Sequence, residues 1–142
     1  MKRILIGVDG SVRAPHVLAT GVRLARLTGA AVVVFHALSV PPDFPPAAAT
    51  AGDPLPRTMV RKAHERIDAM LASYPDVRCE VSILESHNPA RAILDASAQH
   101  DVDLIVIGSH GYGLVERLLG TTAATIVHGA SRDVLVVHAR QA

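Results

Sequence analysis

Short unbroken apolar runs alternate along this chain with stretches whose apolar residues recur every three to four positions. The runs are Ile4-Leu5-Ile6-Gly7-Val8, Ala31-Val32-Val33-Val34-Phe35, Leu104-Ile105-Val106-Ile107 and Val134-Leu135-Val136-Val137. Runs this short with no polar interruption predict strands buried on both faces, as in a parallel sheet covered by helices. Cys79-Glu80-Val81-Ser82-Ile83-Leu84 alternates instead, as an edge strand does. Between the strands, Val17, Leu18, Gly21, Leu24 and Ala25 share one helical face, as do Val60, Ala63, Ile67, Met70 and Leu71. Asn88-Pro89 predicts a helix start, with Asn as N-cap and Pro in the first turn, followed by Ile93, Leu94 and Ala98. A last short helix is expected from Thr121 to His128. The resulting β-α-β-α-β-α-β-α-β order implies a doubly wound α/β domain: a five-stranded parallel sheet, order 3-2-1-4-5, with helices on both faces.

Composition narrows the picture. A chain of 142 residues is expected to form one domain, spanning 1–142. It is 49% apolar but only 3% aromatic, with two Tyr, two Phe and no Trp. High hydrophobicity excludes intrinsic disorder. The scarcity of rings argues against binding single-stranded nucleic acid by stacking. Fourteen Lys and Arg face thirteen Asp and Glu, with no basic run, so neither nucleic acid nor an anionic membrane is an expected partner. The single cysteine, Cys79, forms no internal disulfide and fits a reducing compartment; on an edge strand it reads as inert. Ile4–Val8 is too short for a secretory leader, and no stretch approaches the ~18 apolar residues of a membrane span. The expectation is a soluble cytoplasmic protein.

Residues 39–56 break the alternation, holding six of the nine prolines. The segment is long for a connection and leaves the carboxyl edge of the sheet, where ligands bind in this class, so it reads as a tether or a lid.

Two places suit chemistry. Gly7-Val8-Asp9-Gly10-Ser11 ends the first strand. A carboxylate there can accept hydrogen bonds from a ribose hydroxyl or an adenine amine, while Asp-Gly-Ser is also ordinary turn chemistry with Ser11 as a possible cap. Gly108-Ser109-His110-Gly111-Tyr112-Gly113 follows the fourth strand, and Gly120-Thr121-Thr122 opens the last helix. Glycines let amides approach an anion, and a helix amino end favours negative charge. In a 3-2-1-4-5 sheet both places flank the crevice where the winding reverses. Walker and dinucleotide-binding glycine patterns are absent. His36, His64, His87, His100, His128 and His138 show no paired metal-ligand spacing. His36 reads as buried or at the crevice edge, and His110 as a loop-shaping hydrogen bonder. Asp9 and His110 are the only titratable candidates for hydrolysis, which suggests at most a slow ATPase.

With Ile-Gly-Val-Asp-Gly-Ser at 6–11, His36, Val106-Ile107-Gly108-Ser109-His110-Gly111, Leu118-Leu119-Gly120-Thr121 and Val134-Leu135-Val136-Val137, the whole chain resembles a single-domain universal stress protein. In the ATP-binding branch two residues separate the first two loop glycines and nine precede the last, which is followed by Ser or Thr. Here Gly108, Gly111 and Gly120-Thr121 match, with eight residues between Gly111 and Gly120. The resemblance implies that Val8 and Asp9 contact ribose and base, that Ala37 meets adenine through its backbone, and that Ile107 and Gly108 line the nucleotide. It further implies that Gly111, Gly120, Thr121 and Thr122 hold the phosphates of ATP, with Mg or Mn as an accompanying cation, and that a homodimer forms through the last strand, Val134–His138. The function so implied is an adenine-nucleotide-binding switch or sensor in the stress response. The alternative is a nucleotide-free interaction protein of the same fold, acting through its dimer surface or its Pro-rich segment.

Overall fold

The computed structural model describes residues 1–39, 57–109 and 119–138. Nine elements follow in order: β1 (Arg3–Gly7), α1 (Ala14–Thr28), β2 (Ala31–Leu38), α2 (Arg57–Leu71), β3 (Cys79–Glu85), α3 (Pro89–Gln99), β4 (Leu104–Gly108), α4 (Thr121–Gly129) and β5 (Asp133–Val137). All strand pairs are parallel, and the sheet order is β3-β2-β1-β4-β5. This is the expected doubly wound sheet.

Strand alternation sends successive side chains to opposite faces. Ile4, Ile6, Val32, Val34 and Val106 pack with Val17, Leu18 and Val22 of α1 and Ile67 of α2. Leu5, Phe35, Ile105 and Ile107 pack with Ala90, Ile93 and Ala96 of α3 and Ala123 and Ile126 of α4. Each helix pair therefore covers one face, and central β1 and β4 are buried on both, which is why their sequences read as unbroken apolar runs. Gly21 lets α1 lie directly on β1: a Cβ there would stand 2.3 Å from Ile6 Cδ1 and 2.6 Å from its Cγ1.

Several boundaries differ from the sequence expectation. β2 runs past Phe35 to Leu38 because His36, Ala37 and Leu38 pair with Ile83, Leu84 and Glu85 of β3. β5 is only half-buried despite its valines, since it lies at the sheet edge. In α3 the buried positions after Ile93 are Ala96 and Ser97, whereas Ala98 is exposed. The Ser97 hydroxyl donates to the Leu94 carbonyl at 2.7 Å, which satisfies its burial. Asn88 caps α3 as expected: its side-chain oxygen accepts the Arg91 amide at 3.1 Å, and Pro89 occupies the first turn. Among the described residues, no helix is long and apolar enough to cross a membrane.

Candidate functional site

β1 neighbours β2 on one side and β4 on the other, so the chain winds outward in opposite directions from it. The carboxyl ends of β1 and β4 consequently frame a crevice, the place where doubly wound sheets bind ligands. Its volume is about 310 Å³, and it is lined by Gly7, Val8, Asp9, Ser11, Arg13, Ala14, Val17, Ala37, Pro89, Ile93, Ile107, Gly108, Gly120, Thr121, Thr122 and Ala123. That volume lies at the small end of the ~300–1,000 Å³ typical of ligand pockets.

The floor is apolar and tight. Val8, Val17, Ile93 and Ile107 are all less than a tenth exposed. Gly7 lets Ile107 and Ile93 pack close to the backbone, because a Cβ there would stand 3.2 Å from both Ile107 Cγ2 and Ile93 Cδ1. The rim is polar. Val8 extends the sheet by donating its amide to the Phe35 carbonyl at 2.9 Å. The chain then turns at Asp9, whose Oδ1 accepts the Ser11 amide at 2.9 Å. A carboxylate has about four acceptor positions, and this bond uses one. Ser11 does not cap α1, as the sequence suggested. Its hydroxyl oxygen accepts the Arg13 amide at 3.2 Å, closing the turn one residue ahead of the helix, and no side chain caps α1.

On the opposite wall, the Ser109 amide donates to the Val137 carbonyl at 2.9 Å and the Gly120 amide to the Ser109 carbonyl at 2.7 Å. These bonds pin the start of α4 to the end of β4. Gly120 offers no side chain to cap α4, whose first intrahelical bond runs from the Ala124 amide to the Gly120 carbonyl. The amides of Thr121, Thr122 and Ala123 precede that bond, and these three residues line the crevice. Such an end favours an anion by roughly 0.3–1 kcal/mol when exposed and more when partly buried.

The structure thus brings together Val8, Asp9, Ala37, Ile107, Gly108, Gly120, Thr121 and Thr122. Gly111, together with His110, Tyr112 and Gly113, lies outside the described residues, as does the Pro-rich segment from residue 40 to 56. His36 does not line the crevice. It lies with Val32 and Val34 on the alternate positions of β2 and is 6% exposed, and its Nδ1 has no hydrogen-bond partner among the described residues. Burial lowers its pKa, the positive charge of Arg66 lowers it further, and Asp9 pulls it the other way. Burial likewise pushes the Cys79 thiol up, with Asp76 adding to the effect, which disfavours the reactive thiolate. Among the described residues, no three His, Cys, Asp or Glu group in a way that could hold a metal. Sequence reasoning did not assign Arg13, Pro89 or Ile93 to the site. The signal available was positional: Arg13 and Pro89 stand where strand-to-helix connections enter α1 and α3, and Ile93 lies one turn into α3.

The family model of the universal stress proteins matches residues 1–138. The chain belongs to the universal stress protein family. A universal stress protein of Thermus aquaticus is 33% identical over 140 residues, covering 96% of this chain and 98% of the relative. Among solved structures, the universal stress protein of Archaeoglobus fulgidus in complex with dAMP superposes with a TM-score of 0.68 at 23% identity, covering 96% of this chain and 97% of that one. A universal stress protein in complex with cAMP superposes at 0.64 with 22% identity, covering 96% of both chains. At these identities the structural likeness of the universal stress proteins speaks for the fold, and the crevice lies where that fold binds ligands.

Proposed function

We propose that this universal stress protein binds ATP in the crevice and works as a nucleotide-gated switch or sensor. The observation that supports the reading best is the convergence of Asp9, from β1, with the uncapped α4 amino end in one apolar crevice. The two solved relatives that hold adenine nucleotides support it further. In this reading the base lies between Val8 and Ile107, Ala37 reads its edge through backbone groups, and Asp9 accepts from the ribose. Gly108, Gly111, Gly120, Thr121 and Thr122 hold the phosphates, with Mg or Mn as a counter-cation. Calorimetric titration of nucleotide-stripped protein with ATP and Mg tests the reading. Binding heat and a thermal shift are expected, since ligand at 100 times Kd adds about 2.7 kcal/mol of stability. No heat and no shift at millimolar ATP would overturn it in favour of a nucleotide-free interaction protein, the reading that the short Gly111–Gly120 spacing favours.

We also infer that the protein is cytoplasmic, on its lone cysteine, and a homodimer through β5 and His138. Among the described strands β5 pairs only with β4, leaving one edge with half-buried Val134 and Val136. Sedimentation showing a monomer at tens of micromolar protein would refute the dimer.

A further inference from the structure

We propose that Arg13 is a specificity-determining residue of the crevice, setting a preference for adenine nucleotides that carry a phosphate chain over the bare nucleoside. The proposal rests on the nucleotide reading above and adds to it a residue that discriminates between ligands. Among the described lining residues Arg13 is the only cation and Asp9 the only carboxylate. Both belong to the single turn between β1 and α1. That turn is fixed by the Ser11 amide on Asp9 Oδ1 at 2.9 Å and the Arg13 amide on Ser11 Oγ at 3.2 Å. Arg13 immediately precedes α1 in ordinary right-handed backbone, φ −86° and ψ −17°, and its side chain takes no part in capping that helix. It is half-buried at the crevice.

Charge then orients the ligand. A phosphate beside Asp9 is repelled, whereas neutral ribose hydroxyls donate to its carboxylate. The anionic end is therefore directed away from Asp9 and toward the positive groups of the lining, the Arg13 guanidinium and the amino end of α4. A guanidinium adds what amides alone do not: a full positive charge and a fork of donors matched to phosphate oxygens. Hydrogen bonds to charged groups change affinity by roughly tenfold to a hundredfold. The nucleoside gains nothing from Arg13, so the side chain acts on the ratio of affinities rather than on base recognition.

Calorimetric titration of nucleotide-stripped full-length protein with ATP, ADP, AMP and adenosine, in EDTA, reads that ratio. In Arg13→Gln the ratio of adenosine Kd to ATP Kd falls by about tenfold or more, through weaker ATP binding, while adenosine affinity is unchanged. Arg13→Lys, which keeps the charge and loses the fork, recovers part of the ratio. The wild type supplies a readout that needs no variant: ATP affinity falls with added salt and adenosine affinity does not. Equal losses for ATP and adenosine in Arg13→Gln, no change in either, or equal salt slopes in the wild type overturn the role of Arg13. Wild-type protein that binds neither ligand overturns the nucleotide reading itself. Wild-type protein that binds both equally overturns only the role of Arg13.

Discussion

Gly21 is where α1 touches the sheet most closely, and replacing it with Ala tests the packing directly. The new methyl would sit 2.3 Å from Ile6 Cδ1 and 2.6 Å from Ile6 Cγ1. Ile6 is 0% exposed in the core shared by β1 and α1, so any shift it makes is against packed neighbours. Overpacking of this kind costs about 1–3 kcal/mol. Alanine returns about 0.5–1 kcal/mol of helix propensity at an interior position. The net effect is a loss of about 0–2.5 kcal/mol. Propensity alone predicts the opposite sign. Ile6→Val removes the methyl nearest the clash and by itself costs about 0.5–1.5 kcal/mol. The double variant conserves volume across the contact, so its loss falls short of the sum of the two single losses by about 0.5 kcal/mol or more. Urea unfolding followed by circular dichroism measures all three, with an unchanged m-value showing that the denatured state is unaffected. Stabilisation by Gly21→Ala, or strict additivity in the cycle, would refute the close approach of α1 to β1.

Two further outcomes follow from single residues. His36 is buried with a lowered pKa, chiefly through desolvation and then through Arg66, so the unfolded chain binds its proton more readily than the folded one. Stability is therefore full above the unfolded value near ~6.5 and declines as pH falls below it; unfolding at pH 7.5 and 5.5 should show a smaller decline in His36→Asn, and equal declines would remove His36 as the cause. Asn88→Ala deletes the bond that caps α3 and should cost about 1 kcal/mol, lowering the melting temperature by about 3 °C; an unchanged melting temperature would mean that water replaces the cap.

What was legible in the sequence followed from burial. Ile4, Leu5 and Ile6 in β1 and Ile105 and Val106 in β4 are 0% exposed, so selection for apolar side chains on both faces wrote unbroken runs. Asn88-Pro89 was legible because capping depends on a handful of adjacent residues. The carboxyl end of β2 was not, because pairing with β3 rather than apolarity extends the strand through His36. Ala98 is apolar yet exposed, because hydrophobicity alone does not define the buried face of α3. Ser97 occupies the buried position instead, its hydroxyl bonded to the Leu94 carbonyl. Asp9, Gly108 and Gly120 stood out by residue type at strand and helix ends. Arg13 and Ile93 did not, since their presence at the crevice depends on how two connections fold back over the sheet.

The scarcity of rings acquires a sharper meaning on this fold. Phe35 is 0% exposed in the core beneath α3 and α4, and Tyr74 lies 5.3 Å from the Arg26 guanidinium beside the carboxyl end of α1. Among the described residues no aromatic ring lines the crevice, whose floor is aliphatic. Aliphatic walls attract any flat apolar surface in proportion to the area buried and without direction. They therefore supply affinity but little discrimination. In the proposed reading, selectivity comes from the groups that have direction: the Asp9 carboxylate, the amides at the start of α4 and the Arg13 guanidinium. All of these sit on turns or helix ends rather than in the strands. In that reading, rim residues set which ligand is accepted, while the 0%-exposed strand core beneath carries the fold.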